Sequence, residues 1–236
     1  MDVPHLIEAF ELEASGLDVL LRSQPLLRPL FTRNFLGVDL DAVRRCYLQL
    51  LKRSIDYVQY TVPALRAAGR VLRSGDAEDR SWSALFLGYA EDEIDDGEAG
   101  EYGHHVWARE DMQALGAAAE LIAAPAHPSA VVYGKFFVDD AAHHPYAILG
   151  AKGVLEHLAI RAGDDLARGM TASRIPNAAS ATRFFQAHGV LDIQHVREGD
   201  HNLQRLEHPD KRRQIIAGAY LTSGTYRALV HDLPAA

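Results

Sequence analysis

The segment Gln186-Ala-His188-Gly-Val-Leu191-Asp192-Ile-Gln-His195 sets three ligand-type side chains at spacings of three, four and seven. On a helix turning about 100° per residue, those spacings hold all three within about 60° of one another. His188 and Asp192 alone would read as an exposed ion pair one turn apart. The full HxxxDxxH set is more specific, because two imidazoles and a carboxylate share one stripe with Leu191 close to it. Such a stripe suits a metal ion held against a helical core.

Two other segments carry the same chemistry. Glu101-Tyr-Gly-His104 is an ExxH pair whose members lie about 60° apart on a helix. Glu156, in Gly153-Val-Leu-Glu156-His157-Leu, is a carboxylate within a largely apolar stretch. Taken singly both are weak: ExxH pairs arise by chance, and Glu156 has Lys152 one turn earlier as an ordinary salt-bridge partner. Together with the triplet they give three carboxylates and three imidazoles without a thiolate, a donor set that favours iron or manganese, with zinc also compatible. His105 points about 100° from His104 and is expected beside the site or exposed. His127, His143, His144, His157, His208 and His231 lack partners at helical spacing, so surface or capping roles are expected for them.

The surrounding chain is helical in pattern. Alternating strand-like stretches are nearly absent, while apolar residues recur at three and four spacing. The pattern predicts helices over 4–21, 25–35, 39–68, 81–115, 128–138, 145–169, 176–206 and 209–230. Asp39 is placed to cap the third of these and Gly69 to close it. Pro63 is expected to kink that helix or end it early. Pro145 and Pro176 fall where a first-turn proline is tolerated. The polar stretches 73–79 and 171–176 read as linkers. The expectation is an all-α fold, a single domain over 1–236 built as a bundle of about seven to eight helices.

Composition removes several function classes. The 236 residues are 48% hydrophobic and 24% charged with a formal net charge of -8. No basic run interleaves with aromatics, so nucleic acid is not an expected partner. Cys46 is the only cysteine, which excludes a disulfide framework and suits a reducing cytoplasm. No apolar run approaches the roughly 20 residues of a membrane span. Asp2, His5, Glu8 and Glu11 at the start do not form a signal peptide.

The order ExxH, isolated Glu, HxxxDxxH resembles the haem-oxygenase-like di-iron oxidases and oxygenases, iron-containing redox enzymes related to the TenA/PqqC fold group. Glu101 to Asp111, ending in Ala114-Leu-Gly116, is similar to that family's second core helix; Gly150 to Glu156 is similar to the next ligand-bearing helix, and Gln186 to His195 to the last. The resemblance covers roughly residues 40 to 210. It implies a haem-oxygenase-like helical domain without haem, in which Glu101, His104, Glu156, His188, Asp192 and His195 hold two Fe2+ ions that react with O2. The chemistry it implies is N-oxygenation of amines, oxidative cleavage of amino acids, or decarboxylation of fatty acids, with amine or amino-acid oxidation in a biosynthetic pathway preferred here. Many members supply another carboxylate from the preceding long helix. Here Asp56, or else Glu98 one turn before Glu101, is the nearest candidate. Trp107, Tyr57 and Tyr60 are candidate pocket residues, with core packing as the competing role.

A small molecule is the expected partner, with an external electron donor and a homodimer as further options. A ferritin-like bundle competes through a second ExxH, Glu198-Gly-Asp-His201, but His201 points about 140° from His188. A metal-free TenA/PqqC-type protein competes too, although Cys46 has no evident His or acid partner. A helical interaction protein without catalytic activity would leave the six proposed ligands dispersed over the surface.

Overall fold

The computed structural model describes residues 3–93 and 104–235. It is all-helical, with no β-strand among the described residues. In chain order the helices are α1 Val3–Ser23, α2 Arg28–Thr32, α3 Leu40–Val58, α4 Thr61–Leu72, α5 Ala77–Asp92, α6 His105–Ala114, α7 Ala119–Ile122, α8 Pro128–Gly134, α9 Ala147–Ala172, α10 Arg183–Leu203 and α11 Pro209–His231. A π-helical turn, Lys135–Asp139, extends α8. No helix among the described residues is long and apolar enough to cross a membrane.

The central element is α9, which packs against α10, α11, α1 and α2. Helix α1 buries Leu6, Phe10, Ala14, Leu17 and Leu21, a three-and-four spacing that makes one apolar stripe. Each of its fully buried leucines contributes about 1.5–3 kcal/mol. These side chains belong to one connected core with Tyr47, Leu50, Phe86, Met112, Val154, Leu166 and Ile215.

Local signals account for most boundaries. Asp39 caps α3 by accepting from the N–H groups of Asp41 and Ala42. The expected helix 39–68 is two helices, because a proline at 63 lacks an N–H and its ring would meet the carbonyl of residue 59; the chain breaks at Gln59 and Tyr60. Gly69 does not close a helix. It lies inside α4, where an added Cβ would stand 2.9 Å from Leu87 Cγ, and Ser83 Oγ donates to its carbonyl at 2.6 Å. The stretch 73–79 is only partly a linker, since Asp76 and Asp79 form a capping box that starts α5 at Ala77.

Helix α10 begins seven residues later than its periodicity predicts. The carboxylate of Asp111, on α6, accepts the N–H groups of Arg183 and Phe184 at 3.2 and 2.9 Å. That cap comes from a distant helix, while Thr182, the residue before α10, makes no side-chain cap of its own. Pro176 precedes a short 3-10 turn, Ala178–Ser180, rather than the helix itself.

Candidate metal centre

Helices α9 and α10 cross closely enough to join Glu156 to the α10 triplet. The crossing is set at Gly163, where a Cβ would lie 2.6 Å from the Phe185 carbonyl oxygen, and at Gly189, where it would lie 3.3 Å from the Asp164 nitrogen. One helical turn or two further along, one donor atom each from Glu156, Asp192 and His195 lie within 4.8 Å of one another. His195 Nδ1 is 3.2 Å from Asp192 Oδ1 and 3.9 Å from Glu156 Oε1.

The other imidazoles adjoin this cluster. His188 Nδ1–H donates to the Phe184 carbonyl at 2.8 Å, which fixes the ring and leaves Nε2 for the site. His188 Nε2 lies 3.2 Å from His104 Nδ1, and His104 Nδ1 lies 3.4 Å from Glu93 Oε2. Trp107 stacks on His104, centroids 4.7 Å apart at 12°. Lys152 Nζ completes the ring of contacts, 2.9 Å from Glu93 Oε1 and 2.8 Å from Glu156 Oε1. The second of these is an ion contact outside hydrogen-bonding geometry, so Glu156 Oε1 is a buried oxygen without a directed donor.

The electrostatics suit a cation. Burial raises the Glu93 carboxyl, but the ammonium of Lys152 and the nearby His104 and His188 outweigh it and hold Glu93 at about 2. Burial lowers Lys152, yet Glu156 and Glu93 hold it well above its ordinary value. Burial pushes His188 below the ordinary histidine value despite Asp192, keeping an imidazole that can offer a lone pair. His195 is raised by its hydrogen bond to Asp192, and Asp192 itself is raised by burial.

A cavity of about 400 Å³ opens beside the cluster. Glu93, Lys152, Glu156 and His195 form one wall; Phe10, Trp82, Tyr89 and Leu149 give it apolar surface, and Asp92, Glu198 and Asp200 add carboxylates. A smaller apolar cavity of about 90 Å³ reaches His188 from the other side, with Tyr57, Leu158, Ala162 and Phe184 among its lining.

Of the residues singled out in the sequence, His104, Glu156, His188, Asp192 and His195 therefore lie together. Glu101 and Glu98 fall outside the described residues. Asp56 does not join them. Its carboxylate forms a buried ion pair with Lys52 and accepts the His127 N–H at 3.0 Å. Trp107 touches the cluster through His104, Tyr57 lines only the smaller cavity, and Tyr60 packs on Gly134. His201 is exposed, and Glu198 accepts from Gln194 Nε2 at 2.7 Å, so the second ExxH forms no cluster with the others. His127 and His208 cap α8 and α11 as expected. His157 is not at the surface: it is buried, donates Nδ1–H to the Gly153 carbonyl at 2.7 Å and lines the larger cavity.

Glu93 and Lys152 were not legible as site residues. Glu93 stands 11 residues before His104, and on an unbroken helix that spacing leaves about 20° between them. The signal was present but lay inside an acidic run, Glu91-Asp-Glu93-Ile-Asp-Asp96, that reads as solvated surface.

The residues fit a metal ion of the hard or borderline kind. Three carboxylates (Glu93, Glu156, Asp192) and three imidazoles converge, the buried Glu156 Oε1 has only an ion contact to Lys152, and burial favours a neutral His188.

Comparison with known proteins agrees with this architecture. A domain of unknown function with a haem-oxygenase-like fold from Shewanella denitrificans OS217 superposes with a TM-score of 0.74 at 15% identity, covering 99% of this chain and 92% of that one. A CADD-like protein of unknown function from Nostoc punctiforme PCC 73102 gives 0.61 at 14% identity, over 95% and 96%. At such identity they establish the fold. Among curated proteins no sequence matches the chain. The profile of the iron-containing redox enzymes matches residues 52–226, from α3 to α11, and spans the donor cluster: the chain belongs to that family.

Proposed function

We propose that this chain is a non-haem di-iron enzyme that uses O2 to oxidise a small amine or amino acid. The supporting observation is the donor cluster on the wall of the 400 Å³ cavity. Glu93, Glu156, Asp192, His104, His188 and His195 would hold the iron, with Glu101 as a further ligand outside the described residues. Iron held there would supply the redox chemistry, passing electrons to O2.

The chain's own residues prepare the reaction. Phe10, Trp82, Tyr89 and Leu149 exclude water from part of the cavity. Asp92, Glu198 and Asp200 make its wall negative, which favours an ammonium group over a fatty-acid carboxylate. His157 has its Nδ1–H committed to Gly153, so Nε2 is the nitrogen left to accept a hydrogen bond from substrate. For N-hydroxylation, O2 takes two electrons from an external donor together with two protons; one oxygen atom ends on the amine nitrogen and the other leaves as water.

The test is anaerobic Fe(II) loading followed by O2 uptake in the presence of amines, amino acids and fatty acids. Wild type and His201→Ala should bind two irons per chain, show no haem Soret band and consume O2 faster with amine substrates; His188→Ala should lose iron. Loss of iron in the His201 variant alone would favour the ferritin-like arrangement. Faster O2 uptake with fatty acids would move the substrate to that class.

A further inference from the structure

The group at the middle of the donor cluster is a cation belonging to the chain. Lys152 Nζ joins Glu93 on the end of α5 to Glu156 on α9, at 2.9 and 2.8 Å. Glu93 also faces His104, and Glu156 faces His195, so this ammonium sits among the side chains proposed as ligands. Two buried carboxylates without a cation between them repel, and each loses solvation. The ammonium therefore holds the two oxygens together in the absence of a metal ion. Its fit is incomplete, because the contact to Glu156 Oε1 misses hydrogen-bonding geometry. A metal ion, with no directional N–H to aim, has no such restriction.

The lysine also has a second contact, on the cavity side. Its ammonium lies 5.4 Å from the centroid of the Tyr89 ring, and Tyr89 and Lys152 both line the 400 Å³ cavity. Asn202 Nδ2 donates to the Tyr89 hydroxyl at 2.7 Å and steadies that ring. That cation–π contact is already made alongside the two carboxylates, so a four-carbon stem can shift the ammonium further over the ring and into cavity solvent without losing it.

We propose that Lys152 is a built-in placeholder for the metal. Its ammonium bridges Glu93 and Glu156 in the metal-free protein, competes with the incoming ion, and moves to the Tyr89 side of the cavity when the ion takes the carboxylates. The proposal rests on the metal-binding reading above. Apparent affinity is reduced by the fraction of molecules whose site is free. If the ammonium occupies about nine sites in ten, removing it tightens metal binding about tenfold.

The experiment is a Mn(II) titration followed by EPR on wild type, Lys152→Met and Glu156→Ala, with melting curves of each metal-free protein. Lys152→Met should bind Mn(II) about tenfold more tightly than wild type, and its metal-free form should melt lower because two carboxylates lose their counter-ion. Equal or weaker binding by folded Lys152→Met overturns the proposal. A second readout uses wild type with 15N-labelled lysine. The Lys152 ammonium signal, identified by its absence from Lys152→Arg, should shift in proportion to added Zn(II). A signal unmoved in the Zn(II)-saturated protein overturns the proposal whether or not the methionine variant folds. Mn(II) binding that Glu156→Ala leaves intact in strength would instead remove the metal reading, and the placeholder with it.

Discussion

Replacing Gly163 by alanine tests whether the α9–α10 crossing builds the site. The added Cβ would stand 2.6 Å from the Phe185 carbonyl oxygen, and ordinary van der Waals contact begins at 3.4 Å, so 3.4 - 2.6 gives a deficit of 0.8 Å. Phe185 O is backbone and cannot rotate aside; α10 has to move as a unit. A shift of that size exceeds the roughly 0.5 Å within which a metal or catalytic constellation tolerates misplacement. Overpacking of this kind costs about 1–3 kcal/mol, several degrees in Tm for a chain of this length. Glu156 stays on α9 while His188, Asp192 and His195 move with α10, so Mn(II) affinity should fall about tenfold or more, as when groups that orient ligands are lost. Gly224→Ala is the control, since nothing lies within 4 Å of its added Cβ; it should bind Mn(II) as wild type does and gain up to about 1 kcal/mol from helix propensity. EPR titration and thermal melts measure both quantities. A Gly163→Ala protein with wild-type affinity and Tm would refute the claim that close approach at this glycine sets the site.

Two other perturbations follow from named contacts. In the metal-free protein Glu93 is held at about 2 against an ordinary 4.5, so its stabilisation is complete above about pH 4.5 and is lost as pH falls towards 2, a contribution of about 3 kcal/mol; acid denaturation of Glu93→Gln should lack this component, and matching acid limbs for the two proteins would refute the assignment. Asp111→Ala removes the acceptor of two N–H groups at the start of α10 and should cost about 1–3 kcal/mol, with faster hydrogen exchange at the Arg183 and Phe184 amides; unchanged protection there would show that the cap contributes nothing.

What was legible in the sequence was whatever one helix face could encode. His188, Asp192 and His195 share α10, and helical periodicity alone aligned them. Glu156 stood out as a carboxylate in an apolar stretch, and the resemblance supplied the order that linked it to the triplet. What stayed hidden depends on contacts between distant segments. Glu93 matters because α9 carries Lys152 to it, and a lysine at that spacing from Glu156 reads equally well as a surface salt bridge. Asp56 is the carboxylate of the preceding long helix that the resemblance points to, but Lys52 one turn earlier and the His127 N–H satisfy it. The late start of α10 has the same origin, a cap delivered by Asp111 from α6. Pro63, by contrast, announced its break locally, because its missing N–H acts within one turn.

Whether Glu156, Asp192 and the three histidines gather metal is read out by anomalous diffraction at the iron edge from crystals loaded anaerobically with Fe(II). Two iron peaks per chain are expected, one contacting Glu156, Asp192 and His195 and both among the side chains from His104 to Glu93, with Lys152 Nζ moved towards Tyr89. Iron peaks elsewhere on the molecule, or none between α9 and α10 in crystals of protein that has taken up iron, would contradict the metal assignment.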